Sequence, residues 1–281
     1  MINYYLITKP GIILGNLITV GAGFLLASKG AIDFRLFLAT LLGLAFIMAS
    51  ACVFNNFIDR QLDRKMSRTK NRALVQGLIS SRSAIFFAII LEILGNLILY
   101  YYTNPVTVVV AGIGFGVYVL LYSLWKSRTI YGTAIGSIAG AVPPVVGYCA
   151  VSNHFDVGAL ILFVMLVLWQ MPHFFAIAIL HFEDYAAAGI PVLPIKKGML
   201  RTKIHMVLYI LCFILAAMML TVFNYTGYVY LMVALGMGLA WLWLSLKGFQ
   251  RNDDQIWGKQ MFRLSLAMIG AICFAIPFDI I

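Results

Sequence analysis

Long apolar stretches follow one another along almost the whole of this chain, with short polar joints between them. Each stretch covers about 17 to 25 residues, the length that an α-helix needs to cross the hydrocarbon core of a bilayer. The alternating ten-residue segments of a membrane β-barrel are not seen. The pattern predicts nine transmembrane helices, at roughly 11–28, 36–57, 84–102, 105–123, 131–150, 158–182, 204–223, 227–246 and 261–280.

Most joints are short and carry turn residues, so we expect residues 1–281 to form a single membrane domain. Two joints are longer and more polar, at about 58–83 and 183–203, after the second and sixth spans. The fifth span repeats glycine every four residues, which predicts a face where another helix packs closely. These glycines are Gly132, Gly136 and Gly140.

Composition excludes a soluble protein, since 63% of the residues are hydrophobic, 11% are charged and the mean hydropathy is +0.97. The net charge of +10 is unevenly placed. Eighteen Lys and Arg residues fall on the side of the N-terminus, and only Lys29 and Arg35 fall on the other. This asymmetry predicts a cytoplasmic N-terminus and a C-terminus on the outer side. Topology explains the basic charge, so nucleic acid is not expected as a partner.

Polar residues concentrate at the end of the second span, in FNNFIDRQLDRKMSRTKNR. Asn55, Asp59 and Asp63 are spaced four residues apart, so on a helix they share one face. Two carboxylates and an amide oxygen on one face suit Mg²⁺, which binds carboxylates together with phosphate oxygens.

A basic series follows at the same spacing: Arg60, Arg64, Arg68 and Arg72. A continuous helix would place these guanidinium groups beside the acidic face, where they could bind phosphate oxygens. The alternative is a charged helix end, stabilised by Asp–Arg pairs and anchored at the membrane interface. It explains the arginines well, but it explains less well why acidic residues gather at loops on one side.

A second polar row lies on the sixth span, in WQMPHFFAIAILHFEDY. Gln170, His173, His181 and Asp184 fall within an arc of about 80° on a helix. Polar side chains inside a membrane are costly unless they face a cavity or a partner, so this row is a second candidate site. The alternative for each histidine is a neutral imidazole that bonds a neighbouring helix.

The fourth span ends in YSLWKSR, where Tyr122 and Lys126 are four residues apart. Either both turn towards a phosphate-bearing cavity or both anchor the helix at the interface. Acidic patches ringed by cations above an aromatic bundle suit a substrate with a diphosphate at one end and an apolar tail at the other. Ionisation of an allylic diphosphate needs neutralising cations and a dry site.

These segments resemble a known family. NNFIDRQLDRKMSRTKNRAL is similar to the first Asp-rich motif, N-x-x-x-D-x-x-x-D, of the intramembrane (UbiA-type) prenyltransferases. TKPGII, YSLWKSR, GSIAGAVPPVVGY, WQMPHFFAIAI, DYAAAGIPVLP and DDQIWGKQMF resemble the branch that farnesylates heme. The resemblance implies an all-α protein with nine helices around a central cavity, in the inner membrane of a bacterium, with its active site facing the cytoplasm.

The resemblance implies Mg²⁺-dependent transfer of farnesyl from farnesyl diphosphate to a vinyl group of heme B. Water adds in the same reaction, giving heme O and diphosphate. Heme B is then a substrate, Mg²⁺ is the cofactor, lipids surround the helices, and a heme A synthase or a terminal oxidase receives the product.

The same resemblance assigns roles to residues. The catalytic carboxylates would be Asp59, Asp63 and Asp184, and these three with Asn55 would hold the metal. The diphosphate ligands would be Arg68, Arg72, Tyr122 and Lys126. The candidates on the heme side are Gln170, His173 and His181, with either histidine as an axial ligand of the iron.

One position departs from the wider family, whose second motif has two Asp four residues apart. Here Ala188 follows Asp184 at that spacing. Either Glu183 substitutes for the missing carboxylate, or a second metal is held less completely. Two other functions remain open: prenyl transfer to an aromatic quinone precursor, and non-enzymatic transport of heme or lipid through a cavity lined by polar residues.

Overall fold

The computed structural model describes residues 2–281, and every regular element in that range is helical. Nine segments within it are long and apolar enough to cross a membrane, which confirms the predicted fold class. The helices are α1 (Ile2–Ile7), α2 (Pro10–Ser28), α3 (Phe34–Asp63), α4 (Ser81–Tyr102), α5 (Pro105–Trp125), α6 (Gly132–Gly140), α7 (Val142–Ser152), α8 (Val157–Leu180), α9 (Phe182–Ala188), α10 (Leu193–Lys197), α11 (Met199–Val222), α12 (Tyr228–Lys247) and α13 (Asp254–Ala275).

The second span continues further than its hydropathy predicts. Helix α3 has 30 residues and ends at Asp63, so the long joint covers 64–80 rather than 58–83. Asn56, Asp59 and Asp63 in its last two turns face protein instead of water, so the helix continues past the predicted boundary. Residues 64–79 form successive turns. Arg68 and Arg72 therefore lie beyond the helix, and the basic series is not one helical stripe.

The sixth span also differs from the prediction. Helix α8 ends at Leu180, and His181 has non-helical dihedral angles, φ −113° and ψ 34°. Gln170 and His173 lie on α8, whereas Asp184 lies on the separate helix α9. The polar row therefore divides between two helices. Most of the second long joint, 183–203, is helical as well, in α9, α10 and the first turn of α11.

Close backbone contacts hold the N-terminal helices together. A Cβ at Gly95 of α4 would lie 2.7 Å from the carbonyl oxygen of Gly43 on α3, and one at Gly23 of α2 would overlap the carbonyl of Pro144 on α7. Only glycine permits these approaches, because any Cβ would collide with the backbone of the facing helix. Small residues at such contacts are typical of helix packing in membranes. In the C-terminal part, the wholly buried Trp241 and Trp257 belong to an apolar core that extends back to α2.

Successive spans alternate in direction, so α3, α5 and α8 end at the same side of the bundle. We call this side the motif face; it carries the joints 64–80, 126–131, 181–198 and 251–253. Helix α5 reaches it through a π-helical stretch, Val117–Tyr122. Such stretches often re-aim side chains at functional sites. This one positions Tyr122 and the buried Ser123, both described below.

Candidate active site

The acidic residues at the end of α3 are buried within the protein. Asn55, Asp59 and Asp63 are only 2%, 4% and 1% exposed. A buried carboxylate must be paired or hydrogen-bonded, because its transfer out of water is costly. The surroundings of these oxygens therefore show what the site is built to hold.

Asn55 is held from two sides. Its Oδ1 accepts a hydrogen bond of 2.6 Å from Nζ of Lys9, and its Nδ2 donates to Oγ of Ser123 at 3.0 Å. Lys9 precedes α2 in the left-handed conformation (φ 56°), with Pro10 after it. Withdrawal from water lowers the pKa of Lys9 to about 8. The side chain is thus still mainly protonated at neutral pH, and it brings a cation into the site.

The two aspartates each have a cationic partner. Nζ of Lys126, at the end of α5, donates to Oδ2 of Asp59. Nη1 of Arg72 donates to Oδ2 of Asp63 at 2.7 Å, because the turns after α3 fold back over the end of the helix. Thr69 supports this fold by donating to the carbonyl of Asp63 at 3.0 Å. Each side chain of the acidic face therefore accepts a hydrogen bond from a protein cation.

One oxygen of this face stays available. Oδ1 of Asp59 is buried and has no hydrogen-bond partner within residues 2–281. In the same range, no three His, Cys, Asp or Glu side chains lie close enough to hold a metal. A metal here would need the amide of Asn55 and phosphate oxygens besides the carboxylates. That oxygen-rich, incomplete set fits Mg²⁺, which usually binds one or two carboxylates together with substrate phosphates.

Asp184 fastens the 64–80 joint to α9. Its Oδ1 accepts from the backbone N–H of Ser67 at 2.8 Å and from the Ser67 hydroxyl at 2.7 Å. These hydrogen bonds, the hydroxyl's above all, hold the pKa of Asp184 below its usual range, so the group stays anionic. Glu183, by contrast, is exposed. The structure thus gives the second motif one carboxylate in contact with the joint.

An aromatic wall borders the cations. Tyr122 stacks on Tyr118 with ring centroids 5.3 Å apart, and Nζ of Lys126 lies 5.1 Å from the Tyr122 centroid. Tyr185 of α9 lies near Arg68, Tyr122 and Lys126, and desolvation raises its pKa. The four residues predicted to bind diphosphate therefore lie on the motif face around Asp59 and Asp63.

The glycine face of α6 packs against this site. A Cβ at Gly136 would lie 2.9 Å from the ring of Tyr122. A Cβ at Gly140 would collide with the side-chain amide of Gln170, which is 4% exposed. The close packing predicted for these glycines is thus directed at two candidate site residues.

The two histidines have different surroundings. His173 is buried in an aromatic group, stacks on Trp169 at 4.6 Å, and places Nδ1 2.7 Å from Oγ of Ser265 on α13. This is the arrangement of an imidazole that bonds a neighbouring helix. His181 is half-buried at the break between α8 and α9, near Arg68 and Asp184, and desolvation lowers its pKa.

An apolar cavity of about 90 Å³ lies next to the polar groups. Cys52, in its wall, is one helical turn before Asn55, and the backbone carbonyl of Tyr118, another wall residue, accepts from Ser123. The cavity is bordered by α2, α3, α5, α6 and α7. The full lining is Ile12, Asn16, Leu44, Ile47, Met48, Ala51, Cys52, Ala111, Gly114, Phe115, Tyr118, Ala139, Gly140, Val142 and Pro143.

The site therefore joins a cation-rich polar group to an apolar interior, as the sequence predicts for a diphosphate with an apolar tail.

Residues 16–267 match the model of the UbiA prenyltransferase family. The chain belongs to this family. The match covers all nine spans except the first turns of α2 and the end of the last span.

Curated relatives extend over the whole chain. A protoheme IX farnesyltransferase of Protochlamydia amoebophila is 61% identical over 282 residues, covering 100% of both chains. Proteins of the same name from Sodalis glossinidius and Yersinia enterocolitica are 54% and 53% identical; each match covers 99% of this chain and 95% of the relative.

Solved structures share the fold at low identity. A digeranylgeranylglyceryl phosphate synthase matches with a TM-score of 0.81 at 18% identity, over 98% of this chain and 96% of the other. A UbiA homologue from Archaeoglobus fulgidus, bound to GPP and Mg²⁺, matches with a TM-score of 0.74 at 16% identity, over 98% and 99%. The architecture of the family is thus confirmed.

Two residues in contact with the candidate site are not predicted by the sequence patterns. In the sequence, Lys9 belongs to the TKPGII segment and Tyr185 to DYAAAGIPVLP, and neither residue is a candidate by its spacing. A lysine directly before the proline that opens a membrane helix was the available signal for the first. For Tyr185, a single aromatic in an aromatic-rich chain gave none.

Proposed function

We propose that this protein transfers the farnesyl group of farnesyl diphosphate to a vinyl group of heme B, with addition of water, to give heme O and diphosphate. The observation that carries the proposal is the 61% identity, over the full length of both chains, to a protoheme IX farnesyltransferase. The polar site above an apolar cavity suits the two ends of the prenyl donor.

The cations of the motif face would hold the leaving diphosphate. Lys126 and Arg72 contact the two aspartates, and Lys9 adds a third cation beside Asn55. Arg68 lies close by on the same joint. Guanidinium and ammonium groups stabilise the charge that develops on oxygen as the C–O bond breaks.

Asn55, Asp59 and Asp63 would hold Mg²⁺, whose chemistry is to neutralise the diphosphate as it leaves. Asp184 does not lie close enough to join them as a third carboxylate and would instead keep the 64–80 joint in place. The buried and unpartnered Oδ1 of Asp59 supports this assignment. The Archaeoglobus fulgidus homologue was solved with Mg²⁺ and GPP together. We infer that this chain uses the same kind of ion.

The apolar cavity would receive the first part of the farnesyl tail, next to the diphosphate, and exclude water from the allylic cation. Aromatic faces stabilise such a cation, and Phe115 and Tyr118 line the cavity beside the polar site. Exclusion of water prevents simple hydrolysis of the farnesyl diphosphate.

The positive residues gathered on the motif face support an orientation with that face towards the cytoplasm. The bacterial relatives support a location in the inner membrane of a bacterium. Soluble farnesyl diphosphate would reach the site from that side, and heme B from the lipid.

The test is a product analysis. Detergent-purified protein is given farnesyl diphosphate, heme B and Mg²⁺, and the hemes are analysed by mass spectrometry together with diphosphate release. We expect heme O and stoichiometric diphosphate, and we expect both to disappear with EDTA. Asp59→Asn should lower turnover by at least about a hundredfold. The matched control is Asp33→Asn, because Asp33 caps the start of α3 far from the motif face and asparagine also caps helices.

Two outcomes would refute the proposal. Prenylated 4-hydroxybenzoate without heme O would assign the protein to an aromatic quinone precursor. Movement of heme across a vesicle membrane without diphosphate release would make it a transporter. Full turnover in Asp59→Asn would refute only the metal assignment.

A further inference from the structure

The cavity wall contains a polar side chain that the prenyl donor does not need. Among the residues that line the cavity, only Asn16, Cys52 and Tyr118 have polar side chains. The thiol of Cys52 is only a weak hydrogen-bonding group, and the ring of Tyr118 is stacked on Tyr122. Asn16 supplies the only amide oxygen among these three wall residues, and so the strongest hydrogen-bond acceptor.

The geometry of Asn16 fixes which of its atoms is available. Its Nδ2 donates to the carbonyl oxygen of Ile12, four residues earlier, at 2.8 Å. This bond orients the amide and leaves Oδ1 as an acceptor. Asn16 lies seven residues after Lys9 on the same helix, so it is about 10 Å deeper in the membrane than the cation that contacts Asn55.

We infer that Oδ1 of Asn16 holds the water that adds to the vinyl carbon next to the porphyrin of heme B. This inference rests on the proposed function. The vinyl π electrons form a bond between the terminal vinyl carbon and C1 of farnesyl, while the C1–O bond breaks and diphosphate leaves with the electron pair. The remaining vinyl carbon, next to the porphyrin, becomes cationic. The oxygen of the water binds there, and the released proton passes to the departing diphosphate.

A polar wall residue is needed because an apolar cavity does not retain a single water. A buried water typically makes two to four hydrogen bonds, and Oδ1 of Asn16 would accept one of them. Without that acceptor, the cation loses a proton from the neighbouring carbon. The product is then an alkene, lighter than heme O by one water.

The experiment compares Asn16→Ala with the wild type in the assay with heme B and farnesyl diphosphate. The readout is the ratio of hydrated to dehydrated farnesyl-heme by mass spectrometry, with H₂¹⁸O to mark the added oxygen. We expect this ratio to fall by about tenfold, as for the loss of one hydrogen bond to a reacting group. Total farnesyl-heme should change much less. Asn16→Ser keeps a hydroxyl and should restore part of the ratio.

Asn96→Ala is the matched control. Asn96 is also an asparagine within a span, and its Nδ2 also donates to the carbonyl four residues earlier, Glu92, at 2.9 Å. It lies on α4, which contributes no residue to the cavity wall, so we expect the wild-type ratio. Tyr118→Phe should also keep that ratio.

An unchanged ratio in Asn16→Ala would overturn the inference, even if total turnover fell, because Asn16 would then be structural. A ratio that falls in Tyr118→Phe instead would give the water to Tyr118. Should Asn16→Ala fail to fold, as judged by size-exclusion chromatography, the ratio in Asn16→Leu decides in the same way, because leucine has nearly the shape of asparagine and no acceptor. Absence of any farnesyl-heme from the wild type would refute the proposed function rather than this inference.

Discussion

Lys9 shows how a single residue completes the polar site. It contacts an amide 46 positions away in the sequence, from a backbone conformation that non-glycine residues rarely adopt. Such strain persists where the surrounding structure requires it, and it often marks a functional position. At Lys9 it turns an ammonium group away from the interface and into the protein.

We expect Lys9→Met to lower kcat/KM for farnesyl diphosphate by about ten- to a hundredfold, since a hydrogen bond to a charged group contributes roughly 1.5–3 kcal/mol. Steady-state kinetics with saturating heme B measures the change. Lys29→Met is the matched control: Lys29 ends the same helix at the opposite face, also in the left-handed conformation (φ 46°). Equal effects of the two substitutions would argue that Lys9 only anchors α2.

Spacing alone was enough to identify the acidic residues, since Asn55, Asp59 and Asp63 share a helix. It could not identify their partners. Lys9, Lys126 and Arg72 come from three other parts of the chain, and their contacts depend on how helices pack and on how the 64–80 joint folds back. Periodicity along one helix carries no information on either.

Among the helices, α6 controls the position of Tyr122. The ring contacts the helix at Gly136, where a side chain has no room. Gly136→Ala should therefore displace Tyr122 and lower kcat/KM. It should also fail to give the stabilisation of about 1 kcal/mol that alanine usually provides in a helix. Thermal unfolding and kinetics in the same detergent measure both effects.

The control for that substitution is Gly112→Ala on α5, where an added Cβ meets no atom within 4 Å. We expect it to leave activity unchanged. If Gly136→Ala behaved like Gly112→Ala in both measurements, α6 would not be positioning Tyr122.

The 64–80 joint depends on a side-chain contact with α9. Ser67→Ala removes the hydroxyl bond to Asp184 and leaves only the backbone bond. We expect faster amide hydrogen exchange across 64–80 and a higher KM for farnesyl diphosphate, because Arg68 and Arg72 would be held less firmly. Exchange mass spectrometry reads out the joint directly. Protection as in the wild type would show that the backbone bond alone suffices.

For the whole molecule, hydropathy predicted the number and order of the spans, because each must match the thickness of the bilayer. It misplaced those ends where polar residues face protein. The end of α3 at Asp63 and the break at His181 are two such cases, and the last span likewise begins at Asp254 rather than at the predicted 261. A hydropathy pattern cannot distinguish a charge that faces water from one that faces a partner inside the bundle.

The distribution of charge predicts the orientation of the whole molecule, which the fold leaves open. A C-terminal alkaline phosphatase fusion should be active in a bacterial host, and a C-terminal green fluorescent protein fusion should be dark. Fusions after Gly77, in the 64–80 joint, should give the reverse. The opposite pattern would place the motif face outside.

The paired cations of the motif face also bear on the kinetic order of substrate addition. Asn55, Asp59 and Asp63 already share their oxygens with ammonium and guanidinium groups, so a bare divalent ion gains little by displacing them. A magnesium–diphosphate complex brings its own anion, to which those cations can turn. We therefore expect initial rates to follow the concentration of that complex, while calorimetry with Mg²⁺ alone detects only weak binding.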